Sequence, residues 1–123
     1  MTWKNTAEAV VIGGGINGTS LAYNLAKLGV KDVTVLEKNT VCSGSTGRCG
    51  AGIRAQWGTE MNCRIGLACV EKFEQLSDEL GMDVGLNQSG YLMVAYQQSE
   101  FEQLQKNVAL QNSLGYMTKI VSR

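Results

Sequence analysis

Apolar and polar positions along this chain fall into two repeating patterns, and each pattern predicts an element. Ala9-Val10-Val11-Ile12 and Val33-Thr34-Val35-Leu36 are short apolar runs that end at Gly13 and Glu37. Such runs suit strands of a parallel sheet, which are covered on both faces and need no polar side. Between them Ile16, Leu21, Ala22, Leu25 and Leu28 share one face at helical spacing, and Gly29 stands where a left-handed C-cap is wanted. Strand, helix and strand in that order predict a parallel βαβ unit. A second helical stripe of Met61, Ile65, Ala68, Cys69, Phe73, Leu76 and Leu80 predicts a helix from about Glu60 to Leu80, capped at Gly58 or Thr59 and closed by Gly81. Glu60 and Arg64 are spaced for an i,i+4 pair within it. Residues 90–96 have the β-propensity of a strand. Ser99 and Glu102 fit a capping box that opens a helix carrying Phe101, Leu104, Val108 and Leu114 and ending at Gly115. Residues 118–121 predict one more strand.

The first βα turn carries chemistry. Gly13-Gly14-Gly15-Ile16-Asn17-Gly18 fits G-x-G-x-x-G in its full context, with a strand before, a helix after and an acidic residue at the end of the second strand. Gly13 allows the tight turn, Gly15 lets a pyrophosphate come close to the backbone, and Gly18 lets the helix pack on the strand. Ile16 and Asn17 open the helix, whose N–H groups and dipole favour phosphate. Glu37 stands 19 positions after Gly18, where a carboxylate accepts ribose hydroxyls and repels a 2′-phosphate. From Lys38 to Trp57 the residues are small and permissive: Ser43, Gly44, Ser45, Thr46, Gly47, Arg48, Cys49, Gly50 and Gly52 precede Arg54. A stretch of that length without an element is functional or disordered more often than not. Hydroxyls and two arginines directly after the ribose position fit a loop wrapped around a nucleotide.

Composition narrows the picture. The 123 residues carry 11 basic and 11 acidic side chains, so no net field attracts nucleic acid or an anionic membrane. No apolar stretch is long enough to span a bilayer. Residues 1–6 lack the apolar core of a signal peptide, which makes a cytoplasmic location the expectation. Histidine is absent, so no Ser-His or Cys-His nucleophile exists here. Cys42, Cys49, Cys63 and Cys69 form no C-x-x-C pair, so no zinc site or other metal site is expected. The thiols read as reduced, and Cys63 and Cys69 as small apolar filling.

At this point the chain resembles a family, the FAD-dependent amine oxidoreductases of the glycine, sarcosine and D-amino-acid oxidase group. The resemblance rests on Gly13, Gly15, Gly18 and Ala22, then Glu37, then Gly44-Ser45-Thr46-Gly47-Arg48 and Gly52-Ile53-Arg54. The loop after Cys49, the long helix and the strand beginning Gly90-Tyr91-Leu92 are similar to β subunits of heterotetrameric sarcosine oxidases and to L-proline dehydrogenases. The resemblance implies an α/β fold: a Rossmann-like FAD-binding βαβ unit with the beginning of a mixed-sheet substrate domain. Residues 1–82 would be the N-terminal part of the FAD-binding domain and residues 83–123 the incomplete start of the substrate domain. It implies FAD as cofactor, with Gly13, Gly15, Ile16, Asn17 and Gly18 at the pyrophosphate. Glu37 would hold the ribose, Lys38 would be a further cofactor-binding residue, and Ser43, Gly44, Ser45, Thr46, Arg48, Cys49 and Gly50 would run beside the phosphates and ribityl chain. Arg54 would be the catalytic cation near the flavin ring. The implied reaction is oxidation of the C–N bond of a secondary amine or amino acid, sarcosine- or proline-like, by hydride transfer to flavin. Members are several times longer, so the chain reads as an N-terminal fragment, inactive alone, with self-association or other subunits of a hetero-oligomer as partners. Two alternatives stand beside this: an NAD-dependent Rossmann oxidoreductase subunit, and a non-catalytic nucleotide-binding or assembly fragment.

Overall fold

Ala9–Ile12 and Val33–Leu36 form strands β1 and β2 in the computed structural model, which describes residues 5–121. They pair in parallel, Ala9 against Val33 through Ile12 against Leu36. Helix α1, Ile16–Lys27, makes the crossover and packs on both strands. It stops at Leu28, after which Gly29 turns left-handed with φ 101°, as the sequence predicts. Val11 is 7 % exposed and is the buried apolar centre of this unit, with Ala22 and Leu25 of α1 half-buried. Ile12 is 87 % exposed, and Val10, Leu21, Leu28 and Leu36 are also exposed. The apolar runs are therefore strands suited to cover on both faces that have it on one.

Residues 38–57, expected as a loop throughout, contain one helical turn, α2, at Ser45–Arg48. By its contacts the chain divides into two compact units, Met1–Gly52 and Ile53–Arg123.

The second unit holds α3, Glu60–Leu80, and α4, Gln98–Ser113, which pack on one another. Helix α3 runs over the predicted span, from an N-cap at Thr59 to a left-handed Gly81 with φ 66°. Arg64 Nη2 lies 2.8 Å from Glu60 Oε1. Its packed face differs from the predicted stripe. Cys63 and Gly66 are buried, whereas Met61, Ile65 and Cys69 are exposed, so Cys69 fills no core. Gly66 explains the choice: a Cβ there would stand 3.0 Å from Ala55 Cα and 3.2 Å from Trp57 Cδ1, so this face takes the Ala55–Trp57 backbone at close range.

Helix α4 begins two residues earlier than the expected cap at Ser99 allows. Gln97 is the N-cap, and Glu100, not Glu102, folds back to accept the Gln97 N–H at 3.1 Å and the Tyr96 N–H at 2.9 Å. Ser-x-x-Glu and Gln-x-x-Glu overlap here, and only a carboxylate at the third helical position reaches the cap backbone. Residues 90–96 and 116–121 join no ladder among the described residues, contrary to the strands expected at 90–96 and 118–121. A strand is completed by a partner, and propensity alone does not supply one.

Candidate functional site

The parallel register brings the glycine turn and the acidic residue together. Ile12 is level with Leu36, and the Gly13 N–H donates to Leu36 O at 2.8 Å. The next residues on the two strands, Gly13 and Glu37, thus leave the sheet side by side at its carboxyl end. Glu37 Oε2 accepts the Gly14 N–H at 2.7 Å, and Oε1 accepts the Asn39 N–H at 2.9 Å. These bonds, Gly14's foremost, hold the Glu37 carboxyl below its ordinary range. The side chain is a carboxylate at neutral pH, and its oxygens retain lone pairs for further donors.

Gly13 and Gly18 have the local roles their spacing implies, the turn and the close helix packing. Gly13 turns at φ 102°, a left-handed conformation that other residues resist. A Cβ on Gly18 would stand 1.9 Å from Gly13 O, so α1 approaches the turn as closely as only glycine allows. A Cβ on Gly15 would meet Thr46 Oγ1 at 3.2 Å. The first turn of α1 contains no acidic residue, and the N–H groups of Asn17 and Gly18 have no intrahelical acceptor. That arrangement is suited to an external anion.

The following loop closes on this turn. The Cys42 N–H donates to Gly14 O at 2.9 Å, and the Ile16 N–H donates to Thr46 Oγ1 at 3.0 Å. Cys42 adopts a left-handed φ of 62°, and its carbonyl accepts the Gly47 N–H at 2.8 Å. A Cβ on Gly47 would lie 2.4 Å from that carbonyl. Cys49 Sγ donates to Thr46 O at 3.1 Å. Of the sequence-derived candidates, Gly13, Gly15, Ile16, Gly18, Glu37 and Thr46 are thus gathered in one place. Asn17, Lys38, Ser43, Gly44, Ser45, Arg48, Cys49 and Gly50 are exposed. Gly14 and Cys42 were missed. Gly14 is a variable position of the motif, and its role as the donor to Glu37 needs only its backbone. Cys42 matters through a backbone conformation that no sequence signal for cysteine announces.

Arg54 lies in the second unit. Its guanidinium carbon stands 4.0 Å from the Trp57 ring and 5.7 Å from the Tyr91 ring, within cation–π range of both. Trp57 Nε1 donates to Arg54 O at 3.1 Å. A cleft of about 660 Å³ opens beside them, lined by Arg54, Trp57, Tyr91, Phe101, Leu104 and Gln111 among others. Tyr116 sits behind the segment, its hydroxyl 2.6 Å from Ala55 O and 2.8 Å from Cys63 O. Burial, with Cys63 alongside, pushes the Tyr116 hydroxyl above its usual range, so it remains a donor. Among the described residues no group of three or more His, Cys, Asp or Glu gathers to hold a metal. No helix there is long and apolar enough to cross a membrane.

Residues 8–123 match the family described as FAD dependent oxidoreductase. The chain is 43 % identical over 94 residues to human mitochondrial dimethylglycine dehydrogenase, covering 76 % of this chain and 11 % of that protein. It is 30 % identical over 110 residues to the sarcosine oxidase subunit beta of Rhodobacter capsulatus, covering 89 % of this chain and 27 % of the other. The crystal structure of L-proline dehydrogenase from P. horikoshii superposes with a TM-score of 0.88 at 42 % identity, covering 98 % of this chain and 31 % of that one. The chain therefore spans less than a third of each of these relatives.

Proposed function

Since the chain belongs to the family of FAD-dependent oxidoreductases, we propose that it is the FAD-binding N-terminal portion of a flavoprotein that oxidises the C–N bond of a secondary amine or amino acid. The observation that carries this reading is the contact of Glu37 with the glycine turn, 2.7 Å from Oε2 to Gly14 N. A carboxylate beside the glycine-rich start of α1 supports reading Glu37 as the ribose acceptor and the turn as the pyrophosphate site. Dinucleotide recognition needs those two features together. The residues present suit the cofactor, because the first turn of α1 holds no acidic side chain and the N–H groups of Asn17 and Gly18 have no intrahelical acceptor.

Bound FAD would supply the acceptor for a hydride leaving the substrate carbon; the protein's part is to hold, orient and tune. In this reading Gly13, Gly15, Ile16, Asn17 and Gly18 hold the pyrophosphate, Glu37 holds the adenosine ribose, and Lys38 is a further cofactor-binding residue. Ser43, Gly44, Ser45, Thr46, Arg48, Cys49 and Gly50 follow the phosphates and ribityl chain. Arg54 is the cation that favours the reduced, negatively charged ring. Residues 1–82 belong to the FAD-binding domain and residues 83–123 begin a substrate domain. The names of the relatives, which include sarcosine and proline enzymes and a subunit, support a sarcosine- or proline-like substrate and a hetero-oligomer. We keep a cytoplasmic location within the proposal; the human relative is mitochondrial by name, and cell fractionation decides between the two compartments.

Titration of the chain with FAD, followed by quenching of flavin fluorescence, tests the core of the proposal. Glu37→Ala should weaken binding about ten- to a hundredfold, the span expected for a lost charge-assisted hydrogen bond. Equal affinity in both proteins, or binding of NAD in place of FAD, would overturn it. In the full-length flavin-loaded protein, Arg54→Met should slow flavin reduction more than it weakens FAD. Stopped-flow reduction at the wild-type rate removes Arg54 from the site.

A further inference from the structure

The segment from Arg54 to Trp57 has no regular structure, yet side chains hold its backbone at three of its four carbonyls. Arg54 O accepts Trp57 Nε1–H at 3.1 Å. Ala55 O lies 2.6 Å from the Tyr116 hydroxyl, whose single proton it shares with Cys63 O at 2.8 Å. Trp57 O accepts Gln111 Nε2–H at 2.9 Å and the Cys63 thiol at 3.3 Å. The donors outside the segment come from α3, from α4 and from the turn after α4, more than fifty residues away in the case of Gln111 and Tyr116. Gln111 is only 4 % exposed and is itself oriented: its Oε1 accepts the Thr118 hydroxyl at 2.9 Å, which leaves its amide to face Trp57 O. Tyr116 is placed by the end of α4, where Leu114 and Gly115, left-handed at φ 94°, reverse the chain and the Tyr116 N–H donates to Gln111 O at 3.1 Å.

A loop whose carbonyls met only water would leave the arginine at its head free to sample many positions. Here the backbone that carries Arg54 is tied, and so is the indole on which its guanidinium rests at 4.0 Å. We propose that Tyr116 and Gln111 are positioning residues: by clamping the carbonyls of Ala55 and Trp57 they set where the Arg54 charge stands beside the cleft. The proposal rests on the reading of Arg54 as the functional cation, but the clamp is measured without flavin. It acts through pre-organisation, since side chains already held by packing and hydrogen bonds lose less freedom when a charge must be presented in one place.

Trp57 and Trp3 are the two tryptophans of the chain, so in a Trp3→Phe background Trp57 reports alone. Arg54→Met should change the near-ultraviolet circular dichroism of Trp57, because it removes the stacked guanidinium. In Tyr116→Phe, which deletes one hydroxyl, the same Arg54→Met change should shrink to less than half, and acrylamide quenching of Trp57 should rise at least twofold. Far-ultraviolet dichroism should keep its helical signal throughout. Gln111→Met, which removes the other clamp, should give the same non-additivity and keeps the test decisive if Tyr116→Phe unfolds. A purely structural role predicts additivity, and an undiminished Arg54→Met effect in either background overturns the proposal. If the coupling is found while Arg54→Met leaves flavin reduction at the wild-type rate, the clamp stands and the role assigned to Arg54 falls.

Discussion

Replacing Gly18 by alanine separates the packing argument from helix propensity, because the two predict opposite signs. In a helix with free space around it, alanine is better than glycine by up to about 1 kcal/mol. At Gly18 the added Cβ would stand 1.9 Å from Gly13 O, 3.0 Å from Gly13 C and 3.3 Å from Val11 Cγ1. The first obstacle is backbone, inside the turn that the motif exists to form, and cannot rotate away. To restore an ordinary contact the start of α1 must retreat by about 1.5 Å, or the turn must open. Overpacking of this kind costs roughly 1–3 kcal/mol and occasionally more. With a backbone obstacle the upper end applies, leaving a net loss of about 2 kcal/mol after the propensity gain. At roughly 4–8 °C per kcal/mol for a small domain, the midpoint should fall by about 8–16 °C. The assay is thermal unfolding followed at 222 nm, with FAD titration below the transition. An alanine variant as stable as the parent, or more so, would show that α1 does not approach the Gly13 turn as closely as described.

The other predictions follow from single contacts. Gly15→Val should abolish FAD binding, seen as loss of flavin quenching, while the apo transition moves little, since the Cβ meets only the Thr46 hydroxyl at 3.2 Å. Glu37 has its folded pKa below the ordinary 4.5, so its contribution to stability is present above about that pH and is lost as pH falls through the depressed value. Glu37→Gln should therefore flatten the acid limb of urea midpoints measured between about pH 5 and 3; an unchanged slope means the Gly14 bond is not kept in solution. Glu100→Ala removes the acceptor that caps α4 and should cost about 0.5–2 kcal/mol in urea unfolding, whereas Glu60→Gln, which breaks an exposed pair with Arg64, should cost under about 1 kcal/mol. The exposed apolar residues of the two-stranded sheet, Val10, Ile12 and Leu36, should drive self-association; light scattering after size exclusion that shows a monodisperse monomer would refute it.

Local signals were enough for much of the chain. Gly13 to Gly18, the two apolar runs and Gly29 together specify a βαβ unit, because turn, period and cap all require the same structure. The Glu60–Leu80 helix was legible in its span, since Gly81 marks its end by backbone preference, while the structure chose Thr59 over Gly58 as its cap. Glu37 was legible as the acidic end of the second apolar run, and the parallel register brings it level with the glycine turn, because a parallel pair that starts level finishes level. Family resemblance added the cofactor, which the βαβ unit by itself leaves open between FAD and NAD.

What only the tertiary structure decided has one common cause, that it depends on groups distant in sequence. Which face of α3 is packed was settled by Gly66 and Cys63 meeting the Ala55–Trp57 backbone, and the longer apolar stripe from Met61 to Leu80 could not reveal it. The choice of Glu100 over Glu102 as capping carboxylate was settled by where the chain enters α4. The Gly14 bond to Glu37, the left-handed Cys42 and the ties from Gln111 and Tyr116 to residues 55–57 involve backbone atoms, which every residue has and no side-chain pattern advertises. Sequence determined the elements and the nucleotide motif through local sterics and periodicity. Only folding determined which backbone groups those elements would bring together, and so how the charge of Arg54 is held.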